Sequence, residues 1–209
     1  MLTEDQSEED FVMPTEPLLC LTPADYLTTQ WSGGTTTQLA IAPEGALYAD
    51  RAFLWRISSA VVQDETSVFT PLPDYRRWIA TLDGHICLRH NGGEPLTLHP
   101  FEVHAFDGAD ETVCAGRCRD FNLMLRKGQA EGRLDVLRIP EGPAAPLTLL
   151  PGTETALLYC AEGSCTAIRE DGNLLLKQQE SLLLRDCSLR LRLSGSPSAV
   201  LMLAQMKRS

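Results

Sequence analysis

Residues 53–62 read Phe-Leu-Trp-Arg-Ile-Ser-Ser-Ala-Val-Val, and this stretch decides the class of fold. Bulky apolar and β-branched residues recur at alternate positions, which is typical of a β-strand that faces a core. The apolar face would hold four side chains: Phe53, Trp55, Ile57 and Val61. The opposite face would carry Leu54, Arg56, Ser58, Ala60 and Val62. A single charge, that of Arg56, therefore points toward a second covered surface.

Similar short apolar runs recur along the chain and are separated by Gly, Pro, Asn and Asp: 78–82, 85–90, 121–125, 156–159, 174–176 and 182–184. Residues 189–193 alternate leucine and arginine, as a half-buried strand does. One short helix start is visible, with Thr22 as N-cap and Pro23 in the first helical position. Many short strands with frequent turns predict an all-β sandwich or barrel.

The segment 140–146, Pro-Glu-Gly-Pro-Ala-Ala-Pro, is the best candidate linker because its prolines cannot continue a ladder of backbone hydrogen bonds. It divides the chain into an N-terminal barrel at 18–139 and a C-terminal half at 147–209. The C-terminal half is rich in leucine and has no His, Trp or Phe, which is typical of a scaffold. One interpretation is that this half provides the contact of a homodimer.

Composition and charge exclude several classes of protein. The net charge is −10, and residues 1–50 contain no Lys or Arg, so much of the acidity belongs to a predicted solvated tail at 1–17. The arginines are dispersed and form no basic stripe, which argues against nucleic acid as a partner. The sequence has no apolar run long enough to predict a membrane helix, and its acidic N-terminus does not resemble a secretory signal. Seven cysteines without such a signal favour a cytoplasmic location.

Arg56 is the first candidate binding residue because it shares a strand face with small and apolar side chains. An unpaired guanidinium is costly to bury, so it needs an anionic partner. One interpretation is a carboxylate ligand, which the planar fork of arginine binds through two hydrogen bonds. The other is an internal ion pair, for which Asp120 is a candidate.

Residues 120–125 read Asp-Phe-Asn-Leu-Met-Leu, so Asp120 and Asn122 share the face opposite to Phe121. With both faces covered, this polar pair would line an interior. Asp120 would then either pair with Arg56 or orient it while Asn122 contacts a ligand. The sequence leaves both alternatives open.

Residues 31–38 read Trp-Ser-Gly-Gly-Thr-Thr-Thr-Gln. Two glycines followed by three hydroxyls fit a backbone nest for an anion, and they equally fit a turn that enters a threonine-rich strand. The lysine and the spacing of a phosphate-binding loop are missing. The segment contributes Trp31, Thr37 and Gln38 as candidate binding residues.

The histidines do not have the spacing of a metal site, because no His-x-His occurs and both close pairs are five residues apart. The sequence therefore predicts neither a bound metal nor another cofactor. His104 is retained as a candidate pocket residue. His104 and Tyr75 would also be the candidate acid or base of an enzyme, although both residue types are more often packed or exposed.

The chain resembles the HutD/Ves family in several segments that occur in the same order: 31–37, 53–58, 69–73, 76–77, 82–84, 100–101, 106–108 and 120–124. The resemblance implies a bicupin, in which two double-stranded β-helix barrels of the RmlC-like jelly-roll type pack together. It also implies that Arg56, in the motif Phe-x-Trp-Arg-x-Ser, contacts the ligand. Gln38 stands where related members have Glu, which changes the charge expected in the pocket.

Two functions follow from these observations. The first is a metal-free cupin that binds a small anionic carboxylate in a regulatory or sensor role, as the resemblance implies for histidine utilisation, with formylglutamate or urocanate as examples. The second is a metal-independent cupin isomerase or lyase that acts on a small acid or sugar. The enzyme needs an acid or base beside Arg56, whereas the sensor does not.

Overall fold

The computed structural model describes residues 16–185 and 187–209. The predicted acidic tail at 1–17 therefore lies almost entirely outside the described residues. Strands dominate the described chain, which confirms the all-β prediction. Its helices there are two 3₁₀ turns, Pro23–Asp25 and Tyr48–Asp50, and neither is long or apolar enough to cross a membrane.

The strands are, in chain order, β1 (Leu18–Leu21), β2 (Leu27–Trp31), β3 (Gly34–Ala42), β4 (Trp55–Val62), β5 (Thr66–Val68), β6 (Tyr75–Gly84), β7 (Ile86–His90), β8 (Leu96–Leu98), β9 (Val103–Asp107), β10 (Thr112–Ala115), β11 (Cys118–Arg126), β12 (Ala130–Ile139), β13 (Ala145–Pro146), β14 (Thr155–Arg169), β15 (Gly172–Lys177), β16 (Ser181–Leu184) and β17 (Arg192–Arg208). They form three sheets, which are not closed into a barrel in the described part of the chain.

Two sheets face each other in the N-terminal half. The six-stranded sheet has the order β2-β3-β4-β11-β6-β9, and the four-stranded sheet has the order β5-β10-β7-β8. Val62 and Ile79 of the first sheet pack with Ile86 and Leu88 of the second in one buried cluster. We call the side of the six-stranded sheet that faces this cluster its inner face.

The seven-stranded sheet combines C-terminal strands with two strands from earlier in the chain. Its main path is β1-β16-β14-β17-β12, with β13 and β15 paired at the side. The predicted division at 140–146 therefore differs from the boundary between sheets, because β1 and β12 pair with C-terminal strands. The predicted linker is also partly in the sheet, since Ala145 and Pro146 pair with β17.

The outer face of the six-stranded sheet packs on the seven-stranded sheet. Ile57 and Phe121 from the first sheet lie in one buried cluster with Leu157 and Met202 from the second. Burial of this many apolar side chains is the dominant stabilising contribution in such a contact. Apart from the end of β4 at Val61, β4 and β11 are therefore covered on both sides, with an apolar core on one face and a polar interior on the other.

The predicted alternation of residues 53–62 holds within β4 but not at its ends. Trp55 and Ile57 join the core between the sheets, as expected. Phe53 precedes the strand and packs instead with Tyr75 in a separate cluster. Val61 is 40% exposed, because the seven-stranded sheet does not cover this end of β4.

Candidate functional site

A cavity of about 330 Å³ opens on the inner face of the six-stranded sheet. Its lining consists of Thr29, Trp31, Thr36, Tyr48, Arg56, Ser58, Ala60, Val62, Ser67, Val68, Phe69, Thr70, Arg77, Asp120, Asn122 and Met124. We call it the arginine cavity, because it contains two buried guanidinium groups. Four of the predicted site residues lie in this lining: Trp31, Arg56, Asp120 and Asn122.

The strand register explains why two arginines meet in this cavity. On one side of β11, Met124 is the partner of Arg56 in β4, and on the other side it is the partner of Arg77 in β6. The three residues form one row across neighbouring strands, so their side chains share the inner face. The two arginine backbones are thus two strand spacings apart, about 10 Å. Both long side chains can reach the space above Met124.

Arg56 is 6% exposed and is held by its neighbours. Its Nε donates to Gln38 Oε1 at 2.8 Å, and its Nη1 donates to Ser58 Oγ at 3.1 Å. The guanidinium carbon lies 4.3 Å from the centroid of the Tyr48 ring, a distance typical of cation–π contact. Burial lowers the pKa of Arg56 from its ordinary value. Nη2 has no hydrogen-bond partner among the described residues and is available for a ligand.

Arg77 is 7% exposed and is even less satisfied by the protein. Its Nη1 donates to the Thr70 carbonyl at 3.3 Å, while its buried Nε has no hydrogen-bond partner in the described part of the chain. The rings of Phe69 and Phe106 lie 5.1 and 5.0 Å from its guanidinium carbon. Burial lowers the pKa of Arg77 to about 10, so it is still positively charged at neutral pH.

Asp120 is a buried carboxyl in the same cavity, with 4% exposure. Its Oδ1 accepts a hydrogen bond from the Ala60 backbone N–H at 3.0 Å and another from Asn122 Nδ2 at 2.7 Å. Burial raises the pKa of Asp120 to about 7. The carboxyl therefore changes its protonation near neutral pH. The Asn122 Oδ1 atom is also buried, and it accepts no hydrogen bond from the residues that the structure describes.

The internal ion pair that the sequence left open is not formed. Within 4.0 Å, the described residues contain no salt bridge of Asp120 with Arg56 or Arg77. The register gives the reason for Arg56, since Asp120 is the partner of Ala60, four residues along β4 from Arg56. That separation is about 13 Å along a strand. Gln38, rather than Asp120, orients Arg56.

Three predicted residues are not part of the cavity lining: Thr37, His104, and Gln38, which bonds to Arg56. Thr37 is on the opposite face of β3 from Thr36 and Gln38, and its hydroxyl lies 2.9 Å from that of Thr28. His104 lies on β9 with its Nε2 3.0 Å from the Nε2 of His90. Burial and the neighbouring His90 lower the pKa of His104, but its side chain does not line the cavity.

The glycine segment forms a hairpin turn, which was the other interpretation of its sequence. Trp31 and Gly34 are paired across Ser32 and Gly33, so the turn has two residues. Gly34 has φ +150°, and a Cβ there would lie 1.9 Å from the carbonyl oxygen of Val61. Glycine is therefore required for the close approach of β3 to β4.

Tyr75, the other candidate acid or base, has a structural position. It is 1% exposed, stacks on Phe53 with 4.3 Å between ring centroids, and is not part of the cavity lining. Its hydroxyl donates to the carbonyls of Arg51 and Phe53 at 3.0 and 2.9 Å. These bonds join the segment before β4 to β6.

We expect Tyr75→Phe to lower the free energy of unfolding by about 1–2 kcal/mol, because the carbonyls of Arg51 and Phe53 lose the hydroxyl hydrogen that they share. Urea denaturation measures the loss. Tyr159→Phe is the matched control. Tyr159 is also buried, but its hydroxyl makes no hydrogen bond to the described residues, so its removal should lower the free energy of unfolding by less. Equal effects of the two substitutions would contradict the structural role of the Tyr75 hydroxyl.

A larger cleft of about 520 Å³ lies between the six-stranded and seven-stranded sheets, but its charged groups are largely paired. Arg185 donates to Glu44 at 2.9 Å, and Lys207 lies 3.1 Å from Glu131. The arginine cavity differs, because within the described residues neither Arg56 nor Arg77 has a carboxylate closer than 4.0 Å. Among the described residues, no group of three or more His, Cys, Asp or Glu side chains is placed to hold a metal ion.

The cavity also contains three residues that were not predicted: Arg77, Tyr48 and Phe69. The signal for Arg77 was the alternation of Tyr75, Arg77 and Ile79, which places a charge between two apolar side chains on one face. The same pattern had identified Arg56. Tyr48 and Phe69 lie outside regular strands of this sheet, so alternation gives no indication of their position.

Comparisons with known proteins agree with this fold. A conserved protein of unknown function, PA5104 from Pseudomonas aeruginosa PAO1, has a TM-score of 0.78 and 26% identity, over 91% of this chain and 98% of that chain. HutD from Pseudomonas fluorescens SBW25, in its formate condition, has a TM-score of 0.71 and 21% identity, over 92% and 99%. A Cupin 2 conserved barrel domain protein from Leptotrichia buccalis has a TM-score of 0.57 and 11% identity, over 87% and 92%.

No match was found among curated proteins. The structural neighbours nevertheless include cupin proteins, so the chain has a cupin-like all-β fold. The HutD family model matches residues 23–202, which is most of the chain. By this match, and in agreement with the similarity to HutD from P. fluorescens, the protein belongs to the HutD family.

Proposed function

We propose that the protein binds a small carboxylate in the arginine cavity, in a regulatory or sensor role, without a metal ion. The observation that carries the proposal is that Arg56 and Arg77 are buried beside one cavity with no carboxylate within 4.0 Å among the described residues. Buried cations in proteins are normally paired, so this arrangement favours an anionic guest.

The two cations offer free donors to a carboxylate. Arg56 Nη2 and Arg77 Nε have no hydrogen-bond partner among the described residues, and hydrogen bonds from a guanidinium to a carboxylate are strong because both groups are charged. Asn122 Oδ1 is a hydrogen-bond acceptor without a donor among the described residues, so it suits an acid that also carries an N–H or O–H group. Burial of a small acid with a few such contacts gives modest affinity, since binding per ligand atom is limited.

We also propose that the fold is a bicupin. The facing four- and six-stranded sheets would form the first cupin unit, and the seven-stranded sheet would form the second. Their packing through one shared core and the cupin proteins among the structural neighbours support this assignment. The arginine cavity would then be the interior of the first unit.

Calorimetric titration with urocanate, N-formylglutamate and glutarate tests the binding proposal. Removal of a hydrogen-bonded charge should cost about 1.5–3 kcal/mol, so Arg56→Ala should bind the preferred acid more weakly by a factor on the order of ten to a hundred. Arg77→Met should weaken binding similarly. Arg89→Ala, which removes an exposed arginine outside the cavity, is the matched control. Unchanged binding by Arg56→Ala would remove that residue from the site.

A metal-independent isomerase or lyase is the second candidate, and one observation favours it. Asp120 lines the cavity with a pKa raised to about 7 by burial, which suits a general acid or base at neutral pH. In this alternative Asp120, and neither Tyr75 nor His104, would move the proton. Proton NMR of each bound acid over time distinguishes the two functions, since the sensor leaves its ligand unchanged.

A further inference from the structure

The six-stranded sheet ends at β2 on one side and at β9 on the other. Within residues 16–185 and 187–209, β2 pairs with β3 alone, and all five of its residues are exposed. Leu27 is 59% exposed and Trp31 is 40% exposed. A strand with an open edge presents a row of backbone donors and acceptors that can pair with another strand.

This edge lacks the usual protection against pairing. Proteins commonly place charges, proline or a bulge on an open edge. The sequence of β2 is Leu-Thr-Thr-Gln-Trp, which contains no charge and no proline. The chain carries a net charge of −10, but β2 carries none, so two copies can meet at this strand without a charge facing a like charge.

The hairpin fixes which backbone groups point outward. Trp31 pairs with Gly34 across a two-residue turn, and Thr29 pairs with Thr36. In an antiparallel hairpin of this kind, the residues that flank the turn exchange hydrogen bonds, and so does every second residue along the strand. The N–H and C=O groups of Thr28 and Gln30 therefore face away from β3.

We propose that two copies of this chain form a dimer by antiparallel pairing of β2 with β2 about a two-fold axis at Thr29. Thr28 of each copy then lies opposite Gln30 of the other, which gives four backbone hydrogen bonds. Leu27 of each copy lies opposite Trp31 of the other at the closer, non-hydrogen-bonded positions. The strand is thus complementary to itself in both its hydrogen bonds and its apolar side chains.

The pairing also reaches the arginine cavity. Thr29 and Trp31 belong to its lining, and they lie on the same face of β2 as Leu27. In the dimer, Leu27 of the second copy covers the exposed part of Trp31 at the mouth of the cavity. The dimer proposal stands independently of whether a carboxylate binds there.

Sedimentation of the full chain tests the proposal through Thr29, which faces its own copy across the axis. We expect the wild type to reach twice the 23.0 kDa chain mass with increasing concentration. Thr29→Lys and Thr29→Asp should each weaken the dimer at least tenfold, because like charges stand directly opposite. An equimolar mixture of the two variants should restore the dimer. Leu96→Lys on the edge strand β8 is the control and should leave the mass unchanged.

Hydrogen exchange of the wild type gives a second readout that needs no substitution. The amide hydrogens of Thr28 and Gln30 should exchange more slowly as concentration rises, whereas those of β8 should not change. A wild type that stays at 23.0 kDa would overturn the proposal. A dimer that is unaffected by Thr29→Lys, or a mixture of folded variants that stays monomeric, would also overturn it.

Discussion

Asp120→Asn is expected to stabilise the protein above pH 7 and to flatten the dependence of its stability on pH. Burial raises the pKa of Asp120 from 3.8 to about 7, so the folded state keeps a proton that the unfolded state has released. Stability from this group is complete below about pH 4 and is lost as the pH rises through 7. The difference between the two pKa values corresponds to about 4 kcal/mol.

Urea denaturation between pH 4 and pH 8 measures this effect. The wild type should lose about 4 kcal/mol more than Asp120→Asn over that range, because the asparagine side chain has no charge to bury. Asp64→Asn, at an exposed carboxyl, is the matched control and should follow the wild type. Parallel curves for the wild type and Asp120→Asn would contradict a buried proton at Asp120.

Anion binding should depend on pH in the same direction. A carboxylate guest beside an ionised Asp120 is repelled, whereas a protonated Asp120 leaves only the attraction of Arg56 and Arg77. The proposed ligand should therefore bind more weakly as the pH rises above 7. This dependence should disappear in Asp120→Asn.

Phe121→Ala is expected to lower the free energy of unfolding by about 3–5 kcal/mol, as large-to-small changes in a core do. Phe121 is fully buried between the six-stranded and seven-stranded sheets, and its ring centroid lies 5.3 Å from that of Tyr159. Because both sheets share this core, the whole chain should still unfold in one transition at a lower midpoint.

Denaturation followed by tryptophan fluorescence and by circular dichroism checks this prediction. The two signals should remain coincident in the variant. Val68→Ala, at a side chain that is 67% exposed, is the control and should change stability by no more than about 0.5 kcal/mol. Separate transitions for the two halves would show that they are stabilised independently.

The alternation of residues in β4 and β11 was sufficient to predict the inner face. Arg56, Asp120 and Asn122 all lie there, because a period of two is a property of the strand itself. The all-β class follows from the same local patterns. Neither result depends on which strands are neighbours.

The partners of these residues could not be predicted, because they depend on the register between strands far apart in sequence. Sequence alone left Asp120 as a candidate partner of Arg56, yet the register places it opposite Ala60. For the same reason Arg77 was not predicted as a cavity residue, since it lies near Arg56 only because both are partners of Met124. Thr37 was predicted from three consecutive threonines, 35–37. The position of the turn decides which of them lies on the inner face, and the sequence does not give that position.

The double coverage of β4 has a consequence for how this gene can vary. A substitution in the strand changes a single side chain, on either the cavity side or the core side. An insertion or deletion of one codon in β4 would move every side chain beyond that point to the opposite face of the strand. A guanidinium would then enter the apolar core between the sheets, and an aromatic ring would enter the arginine cavity. Relatives that bind a different ligand should therefore differ by substitutions at individual positions, while the length of this strand stays constant.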